Sequence, residues 1–213
     1  FAKFLYFNQS STGLNGGALY SSAYNDLRDV FFIQDSSQKE GAALYFNKNT
    51  IIKNMVAVEN RSEGEGILYG NFNVLLKLWN ATIFKNSVHK GNRIVSGKVN
   101  GEVWNSILWK NSSDSCESQA CLNIPSSISF NESSSEKDPK FRSESAPAGN
   151  AYFLGADVGL ALDVKSPFLN KGKEAYATEQ DILGVDRDAG TPIGAYALYV
   201  AADRPVEYGE IQY

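Results

Sequence analysis

Acidic and amide side chains recur in this sequence as two series with a period of about 25 residues. The first series is Asp29, Asn54, Asn80 and Asn105, and the second is Asp35, Asn60, Asn86 and Asn111. Spacings within each series are 25, 26 and 25 residues. Such side chains could supply acid–base groups or metal ligands, but they also suit tight turns, because they accept left-handed backbone angles. Since Asn replaces Asp in all later members, we interpret both series as structural turn ladders.

The apolar residues follow the same period. GGALY, GAALY and EGILY end at Tyr20, Tyr45 and Tyr69, and one downstream position is always aliphatic: Leu27, Ile52, Leu78 and Val103. Short runs rich in Val, Ile, Phe, Leu and Tyr predict strands, and a period of this length indicates stacked units. We therefore predict an all-β fold, a right-handed parallel β-helix of about 25-residue, three-strand coils with an irregular C-terminal section.

Residues one coil apart should stack about 4.8 Å from each other. Strand alternation then places the aliphatic position inside and turns the next position outward, where the third and fourth coils carry Trp79 and Trp104. An exposed aromatic track would bind sugars or protein partners; alternatively, the C-terminal segment covers the two rings. In the last strand of each coil, we expect one position to face inward: Ile33, Val58, Phe84 and Trp109.

Loss of the period after Asn111 divides the chain into three parts. Residues 1–111 are predicted to form the coils, residues 112–150 a Ser-rich loop excursion, and residues 151–213 the end section of the β-helix. Within the excursion, the apolar run from Ile128 to Phe130 is a candidate for one further rung.

Two cysteines, Cys116 and Cys121, lie in this excursion. They are too few for a zinc site, and the single histidine is distant in sequence. We favour a small disulfide-closed loop, which implies an oxidising, extracytoplasmic setting. The alternative is a pair of free thiols.

The composition excludes several classes of partner. The chain is 43% hydrophobic and 21% charged, with a net charge of −4. That balance argues against nucleic-acid binding, which needs a basic face, and the scattered basic residues argue against an anionic membrane surface. No apolar run reaches the length of a transmembrane helix.

The C-terminal section carries short motifs in a fixed order: DPKF from Asp138, SPFLNKG from Ser166, DILGVDR from Asp181 and IGAY from Ile193. This order resembles the end of secreted bacterial parallel β-helix proteins of the choice-of-anchor Q domain type. The GGALY strings are similar to the GGA-aliphatic repeats of polymorphic outer-membrane proteins. Asn170 departs from the usual Asp, and Ala197 replaces a frequent acid. The resemblance implies an extracellular or cell-surface location in bacteria.

The third motif is expected to be structural, with Arg187 pairing with Asp181 or Asp186. The sharper alternative is a calcium site formed by Asp181, Asp186 and Asp188, because hard cations need clustered oxygens. No other cofactor is expected.

Enzymatic chemistry has weak support in the sequence. A glycosidase needs two carboxylates across the bond, and a lyase needs a base beside a neutralising group. Lys53 lies beside Arg28, but the next coils replace both with Trp, and His89 lies in a surface turn. We therefore favour a non-catalytic structural or adhesive segment, whose partners are other subunits, upstream coils of the same polypeptide, or surface glycans. The alternative is a fragment of a polysaccharide lyase-like, glycoside hydrolase-like or carbohydrate-binding β-helix, with any active site in earlier coils.

Overall fold

The computed structural model describes residues 2–114, 124–131, 137–144, 159–187 and 191–197. Within these ranges, regular structure is β-strand apart from one 3₁₀ turn at Glu174–Tyr176. The strands are Ala2–Asn8 (β1), Ser11–Thr12 (β2), Leu19–Ser21 (β3), Asn25–Ile33 (β4), Ser36–Ser37 (β5), Leu44–Phe46 (β6), Thr50–Val58 (β7), Arg61–Ser62 (β8), Leu68–Phe84 (β9), Ser87–Val88 (β10), Val95–Trp104 (β11), Ile107–Trp109 (β12), Ser112–Ser113 (β13) and Ile128–Asn131 (β14).

All pairings between these strands are parallel, and they form two sheets. The long strands stack in the order β1, β4, β7, β9, β11, β14, and the short strands in the order β2, β5, β8, β10, β13. Leu27 pairs with Ile52, Ile52 with Leu78, and Leu78 with Val103. The fold is therefore a parallel β-solenoid of about five turns with the predicted period, and the predicted fold class is confirmed. The run from Ile128 forms the last rung, on β11.

Two left-handed residues bend each coil. The first is the Asp or Asn of the first series, with φ from 51° to 56°. The second left-handed residue of each coil immediately precedes the Asp or Asn of the second series. These residues are exposed or half-buried and have long polar side chains: Gln34, Glu59, Lys85 and Lys110. In the second series, Asp or Asn therefore follows the left-handed residue and points inward.

The solenoid interior is an apolar stack continuous from coil to coil. It contains the aliphatic column and, beyond the first bend, alternate residues such as Val30 and Phe32. The prediction that Ile33 and its equivalents face inward is wrong. The left-handed residue at the bend restarts the alternation, so Phe31 and Ile33 lie on the outer face.

The C-terminal section buries this outer face. Leu160, Ile182 and Tyr196 pack against Phe31 and its neighbours in a second cluster. A third cluster lies nearby and contains Ile107, Leu162, Phe168 and Ile193. The second half of each long strand is thus covered on both sides, which explains its nearly uninterrupted apolar sequence. No helix in the described ranges has the length and apolar character needed to cross a membrane.

Candidate functional site

The second series, called here the inner ladder (Asp35, Asn60, Asn86 and Asn111), holds the turn backbone together. Asn60 Oδ1 accepts a hydrogen bond from the Asp35 amide at 2.9 Å, and the next two coils repeat this contact at 2.9 and 3.0 Å. Each Asn Nδ2 also donates to a carbonyl of the preceding coil; Asn60, for example, reaches Phe32 O at 2.9 Å. The ladder is buried, and its amides are occupied by backbone partners.

Asp35 is the exception in this ladder, because it has no amide group. Its Oδ1 accepts a hydrogen bond from the Ser10 amide at 2.8 Å, while its Oδ2 is buried without a hydrogen-bond partner. Burial raises the pKa of this carboxyl to about 6. By position, an Asn here would donate to the carbonyl of Phe7, as the later Asn residues do in their own coils.

The first series, called here the bend ladder (Asp29, Asn54, Asn80 and Asn105), has a second role. Asn105 bonds Lys173 twice, at 3.0 and 2.8 Å, and Asn80 Nδ2 donates to Tyr176 O at 3.0 Å. Asn54 Nδ2 donates to Gln180 O at 3.0 Å. The chain from residue 173 to 180 therefore runs along the bend ladder, coil by coil, and we call it the strap.

The strap covers the two tryptophans. Tyr176 stacks on Trp104 with ring centroids 3.9 Å apart and an interplanar angle of 8°, and it meets Trp79 edge-on at 5.6 Å. Lys173 lies over Trp104, and Lys53 lies 4.3 Å from the Trp79 ring centroid. Both indoles are half-buried. Of the two expected arrangements, the structure has the covered one, so a ligand would reach these rings only by displacing Tyr176.

Electrostatics at this face are dominated by burial. Burial lowers the pKa of Lys53, and neighbouring Arg28 lowers it further. Burial also raises the pKa of Asp29, against the opposing effects of Asn54 and of Lys3, whose Nζ lies 3.7 Å from Asp29 Oδ2.

The third and fourth C-terminal motifs interlock through the backbone. Asp181 is buried, and its carboxylate accepts hydrogen bonds from the amides of Leu183, Val185 and Ala197 at 2.8 to 2.9 Å. The Arg187 guanidinium donates to three successive carbonyls: Gly194, Ala195 and Tyr196. The geometry therefore fits a structural role for this motif, with Arg187 bonding backbone carbonyls, while its expected pairing with Asp181 or Asp186 stays a prediction.

Of the three candidate calcium ligands, the structure describes Asp181 and Asp186. Among the described residues, no three His, Cys, Asp or Glu side chains are grouped so as to hold a metal ion. Asp186 bonds the Gln180 amide at 3.2 Å. Asp188, Cys116 and Cys121 lie outside the described residues.

An exposed charged cluster lies on the short-strand sheet. His89 Nδ1 lies 2.7 Å from Asp114 Oδ2, and Arg61 lies 2.7 Å from Glu63 and 3.9 Å from Asp114. The hydrogen bond with His89, followed by Arg61, lowers the pKa of Asp114. His89 is exposed, as predicted for a surface turn.

Fold and site together define a parallel β-solenoid whose outer sheet face is closed by its own C-terminal section. Comparisons with protein-family models and with curated proteins give no match. The contacts that sequence reasoning missed come mainly from the strap, in particular from Tyr176 and Thr178. The sequence around them has no period, and Thr178 Oγ1 bonds Asn54 Oδ1 from 124 residues away.

Proposed function

We propose that this chain is a non-catalytic structural or adhesive segment of a secreted or cell-surface bacterial β-solenoid protein. The observation that carries the proposal is the inner ladder, whose hydrogen bonds continue without a break from Asp35 to Asn111. A buried ladder of this kind ties each coil to the next. It gives a solenoid reach and rigidity from a simple repeated sequence.

The use of the buried acids also supports a structural role. Asp29, Asp35 and Asp181 are buried, and each accepts hydrogen bonds from neighbouring backbone or amide groups. A glycosidase instead directs two carboxylates at a substrate. These three carboxylates support turns and the C-terminal section.

The end of the solenoid at β1 supports other protein segments as partners. Strand β1 pairs with β4 along one edge, and its other edge presents backbone groups to which further coils of the same polypeptide, or another subunit, would add. Surface glycans are the partners that an adhesive role implies.

The location is testable in the bacterium that makes the protein. Antibodies raised against the folded chain should label intact, unpermeabilised cells or detect the protein in the culture medium, and deletion of the gene should reduce adherence. An antibody against a cytoplasmic protein serves as the control for cell integrity. Labelling only after permeabilisation would refute the surface location.

A carbohydrate-active or carbohydrate-binding β-helix is the second candidate. It is favoured by the Trp79–Trp104 pair, because Tyr176 occupies the position on Trp104 where a sugar ring would stack. Polysaccharide depolymerisation assays on the full-length product, which includes any earlier coils, and on its Tyr176→Ala variant test this candidate. Sustained cleavage by either protein would overturn the non-catalytic proposal, whereas cleavage by neither would leave only the binding form of this candidate.

A further inference from the structure

The third coil carries two extra residues at one corner. Phe46 pairs with Gly70 and Thr50 pairs with Leu76, so three residues of the second coil correspond to five of the third. Against the fourth coil, Gly97 pairs with Gly70 and Val99 with Val74, again a difference of two residues. The third coil therefore projects beyond both neighbours at residues 71–73.

The projecting corner has an unusual backbone. Phe72 and Asn73 are both left-handed, with φ of 63° and 56°. Asn accepts this conformation readily, whereas a bulky aromatic residue rarely does. The Phe72 side chain is nevertheless 71% exposed. A strained aromatic residue held outward at a turn is a feature that functional sites retain.

Two lysines flank this turn along the solenoid. Lys48 and Lys98 lie at the same corner of the second and fourth coils, and both are exposed. No ion pair joins either lysine to an acidic side chain within the described residues. The three corner segments, 46–50, 70–76 and 97–101, contain no Asp or Glu. Because coils are stacked about 4.8 Å apart, the backbones carrying the two lysines are separated by roughly 10 Å.

Two side-chain amides, those of Asn49 and Asn71, lie at the same corner. Asn49 Nδ2 donates to the exposed Tyr24 hydroxyl at 3.2 Å, and Asn49 Oδ1 accepts from the Leu75 amide at 2.9 Å. Asn71 Nδ2 donates to the Tyr45 hydroxyl at 3.1 Å, and its Oδ1 accepts from the Phe72 amide. These bonds fix the amides, whose remaining donor and acceptor sites are suited to hydroxyl groups.

We propose that this corner, the Phe72 turn with Lys48 and Lys98, binds an acidic polysaccharide lying along the solenoid. A pyranose C–H face would stack on the Phe72 ring, whose π face is negative, and two uronate carboxylates would pair with the lysines. Because the corner is cationic on a chain of net charge −4, it selects an anionic ligand over a neutral one. The inference gives the adhesive role proposed above a ligand class and rests on that role.

The test measures binding of oligogalacturonate of about eight residues to the whole chain by calorimetry or biolayer interferometry. The fully methyl-esterified form of the same oligomer is the matched neutral ligand. Binding to the acidic form should exceed binding to the ester, and should weaken with salt because exposed charges are screened. Lys48→Gln and Lys98→Gln should each weaken binding about two- to fivefold. Lys90→Gln, at an exposed lysine elsewhere on the solenoid, should leave binding unchanged.

Phe72→Asn tests the ring separately, because Asn keeps the left-handed turn while removing the aromatic face. A loss of about two- to tenfold is expected, with an unchanged unfolding midpoint or a raised one. Equal binding of the acidic and esterified ligands, no binding of either, or effects of Lys90→Gln equal to those of Lys48→Gln would overturn the proposal. The proposal would also be overturned if the chain bound neither glycan but captured a bacterial protein, and if that capture required Phe72. Surface labelling is independent of this result, so failure of glycan binding is distinguishable from failure of the proposed function.

Discussion

Replacing Asp35 with Asn should stabilise the protein at neutral pH. The substitution removes a buried carboxylate whose Oδ2 has no hydrogen-bond partner and supplies a donor for the Phe7 carbonyl, following the later coils. Folding raises the pKa of Asp35 from 3.8 to about 6, so the fold favours the protonated carboxyl. The stability that depends on this proton is fully present below pH 3.8 and is lost as pH rises through about 6.

The pKa difference sets the size of the effect. A shift of one unit corresponds to about 1.4 kcal/mol, so a rise of about two units costs the wild type at most about 3 kcal/mol above pH 6. The new amide hydrogen bond adds about 1 kcal/mol, which a protonated carboxyl also supplies at low pH. The advantage of Asp35→Asn should therefore be about 2–4 kcal/mol at pH 7.5 and close to zero at pH 3.5.

Urea unfolding followed by tryptophan fluorescence at pH values from 3.5 to 7.5 measures this difference directly. Asn60→Asp is the matched opposite change: it removes two donor contacts, to Phe32 O and to Asn86 Oδ1, and should destabilise the protein by about 3 kcal/mol or more at pH 7.5. Because Asp29 is present in all three proteins, its own titration cancels. The same advantage for Asp35→Asn at every pH, or a loss of stability at pH 7.5, would show that the buried Asp35 carboxylate does not destabilise the fold.

Substitutions at three further residues test other contacts. Tyr176→Ala should cost about 1 kcal/mol by unstacking Trp104 and should shift tryptophan emission to the red, whereas Tyr176→Phe should do neither. Gly101→Ala should prevent folding or cost more than about 4 kcal/mol, because a Cβ at φ 144° would lie 1.8 Å from Leu76 O; soluble yield and the urea midpoint measure this. His89→Ala should leave the urea midpoint unchanged, since the side chain is about half exposed, and a clear shift would contradict that reading.

The period of the sequence was enough to predict the register of the coils. Leu27 and Ile52 are paired because every coil repeats the same interior position. The period does not reveal that a left-handed residue restarts strand alternation, which is why the prediction of an inward Ile33 is wrong and Ile33 lies on the outer face. The period also does not reveal the Phe72 turn. Gly70 lies only 24 residues after its partner Phe46, one fewer than the usual 25, and this partly cancels the two extra residues that follow Gly70. The total period of 26 residues conceals both changes.

The strap was outside the reach of periodic reasoning for a different reason. Its contacts join residues 68 to 126 positions apart, such as Asn105 with Lys173 and Asn54 with Gln180, and only folding brings them together. Sequence reasoning left two arrangements open for Trp79 and Trp104, because the apolar character of an outward residue is the same whether a ligand or the chain itself covers it. The stacking of Tyr176 decides between them for the described chain.

Both ladders are built from Asp and Asn, but their side chains point in different directions, and the backbone conformation determines the direction. In the bend ladder the Asp or Asn is itself left-handed, and the side-chain amides of Asn54, Asn80 and Asn105 donate to carbonyls of the strap. In the inner ladder the preceding residue is left-handed, which turns the amide inward onto the neighbouring coil. The strap and the rest of the C-terminal section thereby occupy the outer sheet face, whereas the corner at residues 71–73 stays outside this cover and is longer than the matching corner of either neighbouring coil.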